Sequence, residues 1–275
     1  AKKGYVAVAM TNRLGWNPTS TDQNVRTSTL LQASYRAIQD AKAMVRYMRM
    51  TEDNGNPYGI DPNKIVLGGQ GTGAYISLGY ATLDDESKLY LPKFIDQSNP
   101  QIPIPYVVPV YMGNFDGTDM TYAPILDSNG IPMVDTSSGV VIPLVDSSSP
   151  LNIPNNPTYS NDINLAFNMG GALADISWLE AGDIPIVSFH CEKDEYAPID
   201  TGDVIVPTTG DFVVEVMGSR TVQHYSNQYG NNDVFINAGF TDAITNQANI
   251  NNSGYEGLYV FKTPPPSTTP NAYGE

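Results

Sequence analysis

The sequence predicts an α/β protein in which a mostly parallel sheet is flanked by helices and interrupted by an irregular, β-hairpin-rich insertion. Three observations carry this expectation. The apolar run Ile65-Val66-Leu67 ends in Gly68-Gly69-Gln70-Gly71-Thr72-Gly73, and a helix-like stretch from Ala74 to Thr82 follows at once. Upstream, an apolar run from Tyr5 to Met10 is followed by a long helical periodicity, so the order is strand, helix, strand, helix. Strands joined this way lie parallel, with a right-handed crossover. Downstream, Ile184-Pro185-Ile186-Val187-Ser188-Phe189-His190 reads as a further strand of the same kind.

Taken in order, Tyr5–Met10 reads as a buried strand and Thr11 to Asp22 as a loop containing Trp16 and Pro18. Leu30, Ala33, Ala37, Ala41, Met44 and Met48 recur at helical spacing, interspersed with Arg36, Lys42, Arg46 and Arg49. The spacing predicts one helix from about Thr29 to Met50, stopped by Asn54-Gly55 and Asn56-Pro57. Tyr106-Val107-Val108-Pro109-Val110 reads as the next sheet strand. From about Gly113 to Asn164 the chain is rich in Pro, Ser and Asp without helical periodicity. Within it, Asp127-Ser128-Asn129-Gly130 predicts a hairpin turn and Val140–Val145 a short strand.

Gly170 to Leu179 reads as a short helix. Val204–Pro207 and Phe212–Val216, joined by Thr208-Thr209-Gly210, read as a hairpin. Helices are expected from Gly218 to Tyr229 and from Val234 to Ala248, and Pro264–Pro270 is linker-like. The expected divisions are residues 1–112, the insertion 113–165, residues 166–262, and a Pro-rich tail, 263–275.

Composition narrows the function classes. The chain has 275 residues, enough for one large domain with a substantial core. A formal net charge of -15 argues against nucleic acid or an anionic membrane as partner. Low lysine content with abundant Asn, Thr, Ser and Tyr points to an extracellular or cell-surface protein. The single cysteine, Cys191, excludes an internal disulfide and reads as a buried, inert thiol. No run of about 18 apolar residues suggests a membrane span. Ala1-Lys2-Lys3 runs directly into the apolar run Tyr5–Met10 without a lead-in, and with the Pro-rich tail this suggests a window from a larger secreted protein, whose remaining parts would be partners of this one. No cofactor is expected. No histidine-rich, cysteine-rich or HExxH pattern suggests zinc. The acids Asp116, Asp119, Asp127 and Asp135 lack the spaced ligand pattern of a calcium loop and read as solvated.

Gly69-Gln70-Gly71-Thr72-Gly73 has the frame of the G-x-S-x-G nucleophile elbow, with glycine at the serine position. Together with Gly4-Tyr5-Val6-Ala7-Val8, Tyr35-Arg36-Ala37-Ile38-Gln39-Asp40-Ala41 and Tyr58-Gly59-Ile60-Asp61-Pro62-Asn63-Lys64-Ile65, it resembles the carboxylesterase and lipase-like α/β-hydrolases. The turn Cys191-Glu192-Lys193-Asp194-Glu195-Tyr196-Ala197-Pro198 resembles that family's strand-end turn. The resemblance implies that Asp194 stands at the triad-acid position, that His190 is the strand-end histidine of the turn, and that Gly71 is a vacant nucleophile position. The histidine downstream of the acid, His224, lies too early for the family's base. These features imply a catalytically inactive hydrolase-like domain that binds or assembles with another protein or surface component. The alternative is an ester hydrolase seen in truncated or nucleophile-substituted form. A carbohydrate-binding module is a third reading, hinted at by Tyr and Trp residues.

Overall fold

A computed structural model describes residues 3–98, 104–135, 137 and 142–262. The linker-like tail, Val140 and Val141 fall outside them. The chain divides into two compact units: residues 1–66 with 82–164, and residues 67–81 with 165–275.

The first unit is built on α1 (Gln23–Asp53), longer at both ends than its apolar spacing predicts. Asp22 caps its start by accepting the Asn24 N–H, and Asn54 closes its end. Tyr35, Ala37, Ile38, Ala41 and Val45 are buried. A second stripe on α1 is polar, at positions 35, 39, 42, 46 and 49, and this alternation of four- and three-residue steps keeps it on one side of a helix. Its donors reach the irregular insertion. Tyr35 Oη donates to the Gly113 carbonyl at 2.8 Å, and Gln39 Nε2 to those of Met112 and Asn114, each at 2.8 Å. Arg46, with no exposed surface, donates to the carbonyls of Asp116 (2.6 Å), Gly117 (3.0 Å) and Asn155 (3.2 Å). Arg49 serves Ser160, Asp162 and Pro62. Lys42 Nζ lies 2.8 Å from the Asp116 carboxylate. Asp116 is therefore paired rather than simply solvated, while Asp119, Asp127 and Asp135 are exposed as expected.

The insertion contains paired strands, Thr121–Pro124 antiparallel with Val145–Asn152 and Val134–Asp135 with Ile142–Pro143. Between them the Asp127–Gly130 turn is closed by the isolated bridge Leu126–Pro132. Two expected strands of the unit are absent. Tyr5–Met10 is irregular and exposed, with Tyr5 at 70% and Val8 at 50%. Its side chains favour a strand, but that preference is realised only against cross-strand neighbours, and residues 5–10 belong to none of the sheets formed by the described residues. Tyr106–Val110 instead turns into a single helical turn, Pro109–Met112. Proline at the first helical position has a preset φ and no N–H to lose.

The second unit holds the parallel sheet. Its strands are β1 (Val66–Gln70), β2 (Leu165–Met169), β4 (Ile186–Cys191) and β7 (Leu258–Phe261), in the order β1-β2-β4-β7. β2 and β4 pair in parallel through Ile186–Ala166 and Phe189–Met169, and β4 and β7 through Ser188–Leu258 and Cys191–Phe261. A smaller antiparallel sheet joins β3 (Ala172–Leu173), β5 (Thr201–Ile205) and β6 (Phe212–Gly218). The expected hairpin is thus present. The expected Gly170–Leu179 helix is reduced to β3 and a 3-10 turn, Ile176–Trp178. The helices are α2 (Thr72–Thr82), α3 (Ser219–Gln228), α4 (Asp233–Ala238) and α5 (Ala243–Asn251). Ala74, Leu78, Ala166, Ile186, Val222 and Leu258 are buried in this unit's core. Among the described residues no helix is long and apolar enough to cross a membrane.

Candidate functional site

β1 delivers the chain into the turn at Gly71, and α2 leaves it one residue later. The Gly71 N–H donates to the Met169 carbonyl at 3.0 Å, while the Gly71 carbonyl accepts from Ala74 (2.9 Å) and Tyr75 (3.3 Å). The glycines of the frame do different things. A Cβ on Gly69 would overlap the backbone of Gly73, so strand and helix meet there because Gly69 carries no side chain, whereas a Cβ on Gly73 would meet nothing within 4 Å. Gly71 has φ +55°, the left-handed region, yet a Cβ on it would meet nothing within 4 Å. Residue 71 therefore faces open space, and its backbone has the positive φ that glycine tolerates best.

Asp194 lies in the turn after β4. Its Oδ1 accepts the N–H groups of Tyr196 (2.9 Å) and Ala197 (3.0 Å), which fixes the carboxylate against its own turn. Its Oδ2 faces Gly170, where a Cβ would lie 3.1 Å away. Gly71 is bonded to Met169 and Asp194 faces Gly170, so the two candidate residues flank the carboxyl end of β2. Each lies beyond the carboxyl end of its own parallel strand, the edge at which open α/β sheets bind ligands. Tyr75 on α2 belongs to the same surroundings. Burial, reinforced by the Asp194 charge, pushes its hydroxyl up to about 12.

The sequence has two histidines, and neither is placed as a base for this turn. His190 is 1% exposed with both ring nitrogens engaged. Nε2 lies 3.0 Å from the Ala197 carbonyl, which can only accept, so Nε2 carries the proton. Nδ1 then accepts from the Ser219 hydroxyl at 2.7 Å. His224 is exposed on α3, edge-on to the rings of Tyr225 (4.9 Å) and Tyr255 (5.3 Å). Cys191, expected to be buried, is exposed. Along β4 the inward positions are 186, 188 and 190, so residue 191 falls on the outward set at the strand's end.

Sequence reasoning missed the strand on which the arrangement rests. β2 lies in Ile163-Asn164-Leu165-Ala166-Phe167-Asn168-Met169, whose asparagines obscure an apolar run bounded by Gly170-Gly171. Its position between β1 and β4 brings the glycine turn and the acid turn to one strand end. Elsewhere in the unit, a cleft of about 180 Å³ is lined by Val187, Phe235, Ile236, Phe240, Thr245 and Tyr259. Neither Gly71 nor Asp194 lines it. No group of metal-ligating side chains occurs among the described residues. Comparisons with protein-family models, curated proteins and solved structures give no match to this chain.

Proposed function

We propose that this chain is a catalytically inactive α/β-hydrolase-like domain of a secreted or cell-surface protein, with a binding or assembly role. The observation that carries the reading is the side-chain-free turn at Gly71, beside an acid, Asp194, that has no histidine to orient. Acyl transfer through a serine needs a nucleophile, a base within hydrogen-bond reach and an acid behind the base. Of these, the sequence supplies the acid position alone. The surface composition supports an extracellular setting, and a scaffold of this class does not by itself specify what is bound.

A second reading has one observation in its favour. The space over Gly71 is already open, as it would be if serine had once stood there and the rest of an ester hydrolase were intact. Gly71→Ser separates the two readings. The new hydroxyl has an ordinary pKa and needs a base to attack an ester at neutral pH. Both wild type and variant are therefore expected to hydrolyse p-nitrophenyl esters at background rate. Lone members of a catalytic set recover little activity. A gain of several orders of magnitude in the variant would replace the first reading with the second.

A further inference from the structure

We propose that His190 is an acid-responsive lock. With one proton it closes a buried circuit joining β2, β4, the Asp194 turn and α3, and a second proton opens that circuit. Every side chain of the circuit is buried and uncharged: Asn168, Ser188, Ser219 and Gln223 have no exposed surface, and His190 has 1%. Asn168 Oδ1 accepts the Gly171 N–H at 2.8 Å, and its Nδ2 donates to Ser219 (2.8 Å) and Ser188 (3.1 Å). Gln223 Nε2 donates to Ser188 Oγ and to the Ile186 carbonyl, each at 2.9 Å. Ser219 Oγ receives Asn168 and donates to His190 Nδ1, whose ring passes its own proton to Ala197.

The direction of each bond is forced. Gly171 N–H can only donate, so Asn168 must turn its oxygen there and its amide toward Ser219. Ala197 C=O can only accept, so His190 Nδ1 is left bare and needs the Ser219 proton. A second proton on the ring puts N–H on Nδ1. Ser219 Oγ then faces two donors, and its own hydrogen loses its acceptor. A buried network with one donor too many is costly, because the surplus hydrogen is left without an acceptor in a low-dielectric interior.

The charges around the ring do not relieve this. Asp194 of the turn and Asp200 favour a charged imidazole. Arg220 of α3 opposes it, and Arg220 is paired with Asp200 at 2.6 Å. β2 presents the neutral Asn168, and the residue opposite on β7 is Val260. Ser219 also opens α3, so a positive ring would sit at the positive end of a helix. Burial is the largest influence and lowers the His190 pKa below its ordinary value. The unfolded chain thus takes up the proton more readily than the folded one. The contribution is fully present above the unfolded pKa of about 6.5 and is lost as pH falls below it.

The test is urea unfolding of the full chain between pH 7.5 and 5. For one proton, the unfolding constant is expected to rise by up to about tenfold per pH unit below about 6.5. His224→Gln should keep this dependence, because His224 is exposed on α3. His190→Gln should lose it, even if less stable throughout. If His190→Gln does not fold, imidazole C2–H exchange followed by mass spectrometry on the wild type reads each histidine directly. His190 is expected to titrate below the ordinary imidazole value of about 6.5 and to exchange far more slowly than the exposed His224. Equal pH dependence in wild type and His190→Gln, or a His190 midpoint at or above about 6.5, overturns the proposal. It is independent of whether the Gly71 turn ever carries chemistry.

Discussion

In the first unit, an irregular segment is held by long donors projecting from one helix. In the second, short neutral side chains bridge strands whose backbones already pair. Both arrangements answer one requirement, that buried main-chain groups find partners. Residues 112–117 belong to no strand ladder, so their carbonyls depend on Tyr35, Gln39 and Arg46. A guanidinium carries five donors in a fixed fork, and Arg46 spends three of its nitrogens on three separate carbonyls. In the parallel sheet the ladder has satisfied most of the backbone. Further main-chain groups are met by Asn168, Gln223 and His190, which two serine hydroxyls link to one another. Where regular structure is missing, reach replaces pairing, and reach brings a buried cation. Lys42 shows the cost: burial lowers its pKa, against the opposing pull of Asp116.

The largest expected effect comes from breaking the first arrangement. Arg46→Met keeps the stem and strands the carbonyls of Asp116, Gly117 and Asn155, for a loss of about 3–5 kcal/mol. Urea unfolding should register the loss, and limited proteolysis should cut within residues 113–164 under native conditions. Stability within about 1 kcal/mol of wild type would mean that the stripe does not hold the segment.

Asn168→Ala should cost less, about 1–3 kcal/mol, since it leaves the Gly171 N–H and two serine hydroxyls short of a partner. The same proteolysis should show no new cut within 113–164. A cut there would mean that the two devices are not separate.

Lys42→Met should have the smallest effect, about 1 kcal/mol or less. The replacement preserves the packing of the stem, and removing one partner of an ion pair is strongly destabilising only where the charge left behind is buried and uncompensated. Asp116 is 34% exposed at its side chain and keeps the Asn161 amide as a donor at 3.1 Å. A loss as large as that of Arg46→Met would show that Lys42 acts on the backbone as Arg46 does.

The legible parts of the sequence were those in which apolar spacing and glycines agree. α1, the Gly71 turn, β4, the β5–β6 hairpin and α3 follow from such patterns. Tyr5–Met10 had the pattern of a strand, but a strand also needs a neighbour, which composition cannot supply. Tyr106–Val110 had the same pattern, and Pro109 settled it as a turn. β2 was hidden because Asn168 sits at a buried position, where an apolar residue is the usual expectation. The polar stripe of α1 escaped notice for a related reason. Lys42 and Arg46 look like surface punctuation in a helical pattern, and only their targets, carbonyls 70 and 71 positions away in the case of Arg46, give them an inward role. At the candidate site, Gly71 and Asp194 were legible from their turns, but their meeting at one strand end was not, because it depends on β2.

The grip of α1 on main-chain oxygens has a consequence for how this chain can vary. Every residue type, proline included, offers a carbonyl, so an exchange at Met112 or Asn114 leaves the handhold in place. Gly113 and Gly117, with φ of +84° and +64°, are bound by their conformation instead. The instructions for shaping this stretch are written on the helix, at positions 35, 39, 42, 46 and 49, far from the stretch itself. The insertion can therefore drift in sequence and present new surfaces while its path stays the same.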